Sequence, residues 1–108
     1  MLNDLKIMLG IEESDTEAEK QLNIIIKNTR QQLKAKLGGI DAPKSLEYII
    51  LEVSIKRFNR IGSEGLASHT VEGETLSFVE DDFNSFSEDI QNFINSQKEL
   101  TTGKVRFL

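Results

Sequence analysis

The stretch Pro43–Gly62, PKSLEYIILEVSIKRFNRIG, determines the fold of this 108-residue chain. Pro43 suits the first turn of a helix, where its missing N–H costs nothing, and Gly62 suits a left-handed helix end. At about 100° per residue, the apolar side chains between them fall on two opposed faces. The first face carries Leu46, Ile49, Ile50, Val53 and Ile61, and the second carries Tyr48, Leu51, Ile55 and Phe58. A helix that is apolar on both sides must be covered on both sides, so we expect a central helix with Val53 and Ile55 both buried.

Two further helices are predicted before this stretch. A short helix over 3–9 has its leucines on one side and ends at Gly10. The next helix opens at a capping box, either Ser14 with Glu17 or Thr16 with Glu19, and stops at Gly38-Gly39. Its apolar stripe consists of Ala18, Leu22, Ile25, Ile26, Thr29, Leu33 and Leu37. The short connector 40–42 predicts that this helix packs as an antiparallel pair with the central helix.

The segment after Gly62 is predicted to contain a β-hairpin and one more helix. Residues 70–71 and 75–78 have strand composition, with a turn at 72–74 between them. Asp81 or Asp82 then caps a helix that ends near Gln97, with a stripe formed by Phe83, Phe86, Ile90, Phe93 and Ile94. The fold class is therefore all-α: a small bundle of about four helices around a central helix, with a short hairpin in the loop before the last helix. We expect one helical domain over 1–100 and a C-terminal tail over 101–108.

The composition excludes several classes of function. The chain has no cysteine, which excludes a disulfide framework and fits assembly in a reducing cytoplasm. No apolar run approaches the ~20 residues that span a bilayer, and the opening residues lack a secretory apolar region. The net charge of −5 disfavours a nucleic-acid-binding surface, so we expect neither membrane nor sequence-specific DNA binding.

No residue pattern indicates catalysis or a cofactor. His69 is the only histidine, and the acidic residues around it match neither an EF-hand loop nor an HExxH motif. Paired carboxylates need a pocket that shifts their pKa values, for which the sequence gives no sign. We therefore expect no enzyme, no metal and no cofactor.

The charges are arranged in blocks. Residues 1–19 carry six acids and one base, residues 20–60 carry nine bases and three acids, and residues 63–99 carry nine acids and one base. Such blocks are ordinary solvated surface in many monomers, and they also suit head-to-tail packing of identical copies. In the second interpretation, the basic cluster at the end of the central helix, Lys56, Arg57 and Arg60, contacts the acidic 63–82 segment of a neighbouring copy. The candidate interface residues are Ile24, Lys56, Arg57, Arg60, Glu64, Glu72, Glu74, Val105 and Phe107.

One run of residues resembles a known family. Glu52-Val53, Lys56 to Gly65 (KRFNRIGSEG), Val71-Glu72-Gly73 and Ser77-Phe78 are similar to the head–tail connector (adaptor) proteins of tailed bacteriophages, most closely those of Gram-positive hosts. The opening Leu9-Gly10-Ile11 and the closing GKVRFL fit as well, so the likeness covers nearly the whole chain.

The resemblance implies a structural virion protein at the head–tail interface. Its members form a ring, twelve copies in the virion, that sits beneath the portal protein and receives the stopper or tail-completion protein. DNA passes through the lumen, and the family offers no catalytic residues. Before assembly the chain would reside in the host cytoplasm. The alternative interpretation is a monomeric helical regulatory protein that binds one protein partner.

Overall fold

The computed structural model describes the backbone of residues 1–64 and 80–106 and the side chains of 1–61 and 81–98. This part of the chain contains four α-helices: α1 (Leu2–Leu9), α2 (Thr16–Lys36), α3 (Glu47–Glu64) and α4 (Ser87–Arg106). A 3-10 turn, Lys44–Leu46, precedes α3, and a 3-10 segment, Glu80–Phe86, precedes α4. The described residues hold no strand, which confirms the all-α class. The predicted hairpin at 70–78 lies outside the described residues.

Glycine and aspartate set the ends of the first two helices. Gly10 ends α1 with a φ of 69°, and its N–H donates to the carbonyls of the last turn, as predicted. Gly38 and Gly39, with φ of 84° and 97°, provide the predicted stop after α2. The start of α2 differs from the prediction: Asp15 is the N-cap, and its Oδ1 accepts a hydrogen bond of 3.0 Å from the Ala18 N–H. A carboxylate offers the same acceptor as a hydroxyl and adds a favourable charge at the helix N-terminus.

The central position of α3 is confirmed. It contacts α1, α2 and both 3-10 segments, and its largest interface is with α2, as the short connector predicts. The predicted stop at Gly62 is wrong, because α3 continues through Gly62 to Glu64. A glycine in a helix costs only about 1 kcal/mol relative to alanine, so it ends a helix only where the chain must turn.

The core lies between α2, α3 and the beginning of α4. Its apolar side chains are nearly or fully buried and form one cluster: Leu33, Leu37, Leu46, Ile49, Ile50, Val53, Phe83 and Ile90. Phe86, Phe93 and Ile94 pack against this cluster from the last stripe. The predicted stripes of α2 and of the last helix are therefore confirmed as core-facing.

The second face of α3 is only partly covered. Val53 is 1% exposed, as expected, whereas Tyr48 is 38% exposed. Leu51, Ile55 and Phe58 are half-buried. The prediction that Ile55 is buried like Val53 is wrong, because Ile55 lies on the side of α3 opposite the core cluster that contains Val53.

The last helix is longer and starts later than predicted. Asp81 and Asp82 belong to the 3-10 segment, and α4 begins at Ser87. It continues beyond Gln97 to Arg106, so Val105, placed in the C-terminal tail from the sequence, belongs to this helix. None of the described helices is long and apolar enough to cross a membrane.

Candidate subunit and partner interface

A buried arginine forms the centre of the polar interactions in this protein. Arg57 of α3 is 0% exposed, and its Nε donates to Asp82 Oδ2 at 2.8 Å. Its Nη1 donates to Thr29 Oγ1 at 3.1 Å, and its Nη2 donates to Gln32 Oε1 at 2.5 Å. The guanidinium thus joins α3 to α2 and to the segment before α4. Each of its nitrogens has an acceptor, which an arginine requires when it is removed from water.

The charge of Arg57 is balanced inside the chain. Burial lowers the pKa of Arg57, and the hydrogen bond and the negative charge of Asp82 oppose that shift. The carboxylate of Asp82, only 3% exposed, also accepts a hydrogen bond from Arg60. The Phe83 ring lies 5.4 Å from the Arg57 guanidinium carbon and covers it as a cation–π partner.

These contacts correct the expected role of the basic cluster. In the interpretation with neighbouring copies, Lys56, Arg57 and Arg60 meet the acidic 63–82 segment of the next copy. In the structure, Arg57 and Arg60 both pair with Asp82 of their own chain. Arg57 is fully buried and is not available to another subunit. Arg60 is partly exposed, and Lys56 is exposed at the surface.

The other predicted contact residues are placed differently. Ile24 is 55% exposed and points away from the core. Glu64 belongs to α3 and Val105 belongs to α4, but the structure does not describe their side chains. Glu72 and Glu74 lie outside the described residues, as do Phe107 and His69. Among the candidate residues whose side chains the structure describes, Ile24 and Lys56 lie at the surface, and Arg57 and Arg60 meet at Asp82.

One exposed apolar surface is not predicted by the sequence pattern. Ile7 is 77% exposed and Met8 is 65% exposed, although both belong to a helix that packs on α2 and α3. Exposed acids accompany them: Asp4 in α1, and Glu12 and Glu13 directly after it. We call these five residues the α1 surface. The available signal was that Ile7 and Met8 fall outside the leucine stripe of α1.

The exposed side of α2 has the opposite charge. Five exposed residues recur at spacings of four, three, four and three, which places them along one line of a helix: Lys20, Ile24, Lys27, Gln31 and Lys34. We call this line the α2 stripe. Arg30 lies beside it and pairs with Glu47 at 2.7 Å, and Lys34 pairs with Asp41 at 3.3 Å. The α2 stripe carries three lysines and no acid, with Ile24 among them.

Near the first turn of α3, Tyr48 bridges to α4. Its hydroxyl donates to Asp89, and its ring meets Phe86 edge-on at 5.9 Å between centroids. The hydrogen bond to Asp89 raises the pKa of Tyr48 to about 12. Tyr48 also lines a shallow groove with Met1, Asp4, Glu47 and Leu51. This groove is open and small, and its lining contains no nucleophile paired with a base.

The described residues contain no group of acidic or histidine side chains that could hold a metal ion. The described residues present exposed apolar side chains with charged neighbours on α1 and α2. The buried pair of Arg57 and Asp82 joins α3 to the segment before α4.

Comparison with known proteins identifies the family. The family model of the phage gp6-like head-tail connector proteins matches residues 1–93, which is most of the chain. No curated protein and no solved structure matches significantly. The family is structural and not enzymatic, and its members are bacteriophage proteins that join head and tail. The chain therefore belongs to the phage gp6-like head-tail connector protein family, and it is a structural, all-α protein of the virion's head–tail region.

Proposed function

We propose that the protein forms a ring under the portal and joins the DNA-filled head to the stopper or tail-completion protein. The ring contains twelve copies in the virion, and DNA passes through its lumen without sequence-specific binding. The subunits reside in the host cytoplasm before assembly. The observation that carries the proposal is the family match over residues 1–93.

The described surface supports assembly of identical copies. Acids accompany the exposed Ile7 and Met8, whereas lysines accompany the exposed Ile24. Surfaces of opposite sign on one chain favour head-to-tail contacts, which close into a ring when the rotation between copies permits. A chain with a net charge of −5 also suits a lumen that repels the phosphate backbone of DNA and lets it pass.

Native mass spectrometry of the chain alone, and of the chain mixed with the cognate portal protein, tests this proposal. We expect a single ring species, either free or on the portal, with twelve copies per portal ring. Negative-stain electron microscopy of the portal complex should show added density on the tail-facing side of the portal, and the stopper protein should bind only when that density is present.

A different stoichiometry would contradict the proposal. A stable one-to-one complex with a single partner, and no ring with or without portal, would indicate the monomeric regulatory protein instead. Salt provides a further check, because an interface guided by charge should form more slowly at high ionic strength.

A further inference from the structure

We propose that the α1 surface of one copy docks on the α2 stripe of the next copy, and that this contact forms the ring. The inference rests on the proposed function and specifies the two surfaces that meet. Each of the two surfaces is thus covered by a neighbouring copy of this chain.

The α1 surface exposes two large apolar side chains that are adjacent in sequence, Ile7 and Met8. A short helix that uses Leu5 as its buried anchor leaves Ile7 and Met8 more than half exposed. Single exposed apolar residues are common, but two consecutive large ones on one helix form a compact apolar contact. Methionine is also flexible enough to fill the irregular gaps of a protein interface.

The acids of the α1 surface lie on either side of that apolar pair along the chain: Asp4 precedes it, and Glu12 and Glu13 follow it. Lys6 donates to the Glu13 carbonyl oxygen at 3.5 Å, and the Ile11 N–H donates to the Lys6 carbonyl at 2.9 Å. These two bonds fold the chain back against α1 directly after Gly10. Glu12 and Glu13 are thus held in the segment that directly follows α1.

The α2 stripe complements the α1 surface through an exposed apolar side chain and through opposite charge. Ile24 supplies an apolar side chain that is 55% exposed, and Lys20 and Lys27 lie on either side of it along the helix. Ile24 is about 160–180° around α2 from the buried Leu22 and Leu33, so it points away from the core that holds the chain together. An apolar centre with cations would face an apolar centre with carboxylates.

The two surfaces differ, so the contact is heterologous. Each copy offers the α1 surface to one neighbour and the α2 stripe to the other, which generates a ring or a helix and not a closed dimer. The apolar pair supplies buried area, while the charges set orientation and exclude contacts between like surfaces.

Charge reversal of each surface provides the first test. One variant carries Glu12→Lys and Glu13→Lys, and the other carries Lys20→Glu and Lys27→Glu. Each variant alone presents two surfaces of like sign, so we expect loss of the rings that the wild type forms, free or on the portal. An equimolar mixture restores opposite signs at every contact when the copies alternate, and we expect rings to return in the mixture only.

A matched control has the same change of charge elsewhere. Glu52→Lys with Glu88→Lys alters two exposed acids that lie outside both surfaces, and rings should form as in the wild type. Circular dichroism melts establish that every variant is folded.

Crosslinking tests the same contact without altering charge. The chain contains no cysteine, so Met8→Cys and Ile24→Cys each introduce a unique thiol. When the two single-cysteine chains are mixed and treated with a short bismaleimide, the 8–24 product should exceed both the 8–8 and the 24–24 products.

The outcomes separate this inference from the proposed function. Wild-type chain that forms no ring, with or without portal, defeats the proposed function and this contact with it. If rings persist in both reversed variants, or fail to return in the mixture, the assignment of these two surfaces is wrong, while the proposed function still stands. Predominant 8–8 or 24–24 crosslinks would show the same, and so would normal rings that no longer bind the portal, because the surfaces would then be portal contacts.

Discussion

Arg57 Nε donates a hydrogen bond to Asp82 Oδ2 across 2.8 Å, and the two side chains are 0% and 3% exposed. The pair joins α3 to the segment before α4, which is 25 residues away in sequence. Thr29 and Gln32 extend the same bonds to α2. Removing one partner of such a pair leaves an uncompensated charge in the interior, and that cost exceeds the net value of the intact pair.

We therefore expect Asp82→Asn and Arg57→Met each to lower the free energy of unfolding by about 3–5 kcal/mol, measured by urea denaturation. The double variant Arg57→Met with Asp82→Leu should lose less than the sum of the single changes, because it leaves no buried charge unpaired. Arg30→Met, which breaks the exposed pair with Glu47, is the control and should cost about 1 kcal/mol or less. Equal losses at Arg30 and Arg57 would contradict the special role of the buried pair.

The two faces of α3 are not equivalent, and matched isoleucines report the difference. Ile49 is 0% exposed, whereas Ile55 is half-buried. Ile49→Ala should cost on the order of 2–5 kcal/mol, since it leaves a cavity in the core. Ile55→Ala should cost roughly 1 kcal/mol, in proportion to the smaller apolar area that it buries. Thermal melts of the two variants check this order, and a larger loss at Ile55 would mean that the second face is better covered than the structure shows.

The single tyrosine offers a direct reading of the contact between α3 and α4. The chain has one tyrosine and no tryptophan. Absorbance at roughly 295 nm, where ionised tyrosine absorbs, therefore follows Tyr48 alone, and the ordinary pKa of a tyrosine is about 10. Because the hydrogen bond to Asp89 raises the pKa of Tyr48 to about 12, we expect the titration midpoint near pH 12.

The pH dependence of stability has a definite sign. A pKa that is higher in the folded state contributes stability at pH values below the unfolded pKa, and this contribution is lost as the pH rises from about 10 towards 12. Asp89→Asn should move the midpoint back towards the ordinary value of tyrosine. An unchanged midpoint in that variant would show that Asp89 is not the cause.

The start of α2 distinguishes adjacent candidate caps. Asp15 accepts the Ala18 N–H, and neither Ser14 nor Thr16 holds the N-cap position. Asp15→Ala should lower the free energy of unfolding by about 1 kcal/mol, the usual value of an N-cap, and Ser14→Ala should leave it within a few tenths. Urea midpoints of the two variants, at equal m-values, measure the difference. The reverse order would return the cap to Ser14.

Helical periodicity accounts for the parts of the fold that sequence predicted correctly. The predicted apolar faces of α2 and of the last helix, and the first face of α3, pack on the core, because spacing along a helix determines which side chains share a face. The glycine stops at Gly10 and Gly38-Gly39 were also predictable, since a positive φ favours glycine. These are local properties, fixed within a few residues of chain. The family was recognisable for a related reason, since a run of residues can be compared without knowing which surfaces meet.

The remaining features depend on which surfaces meet in three dimensions. Arg57 continues the buried face of α3, and its position along the helix does not determine which acid it meets. The tertiary structure brings Asp82 beneath it, and the pairing then occurs inside the chain. The partial exposure of Ile55 has the same origin, because an apolar face shows that a helix can be covered but not how completely its neighbours cover it. Periodicity along the chain thus predicts the helices and most of the side chains that face the core, whereas the packing of those helices determines which charges are buried together and which apolar side chains stay at the surface.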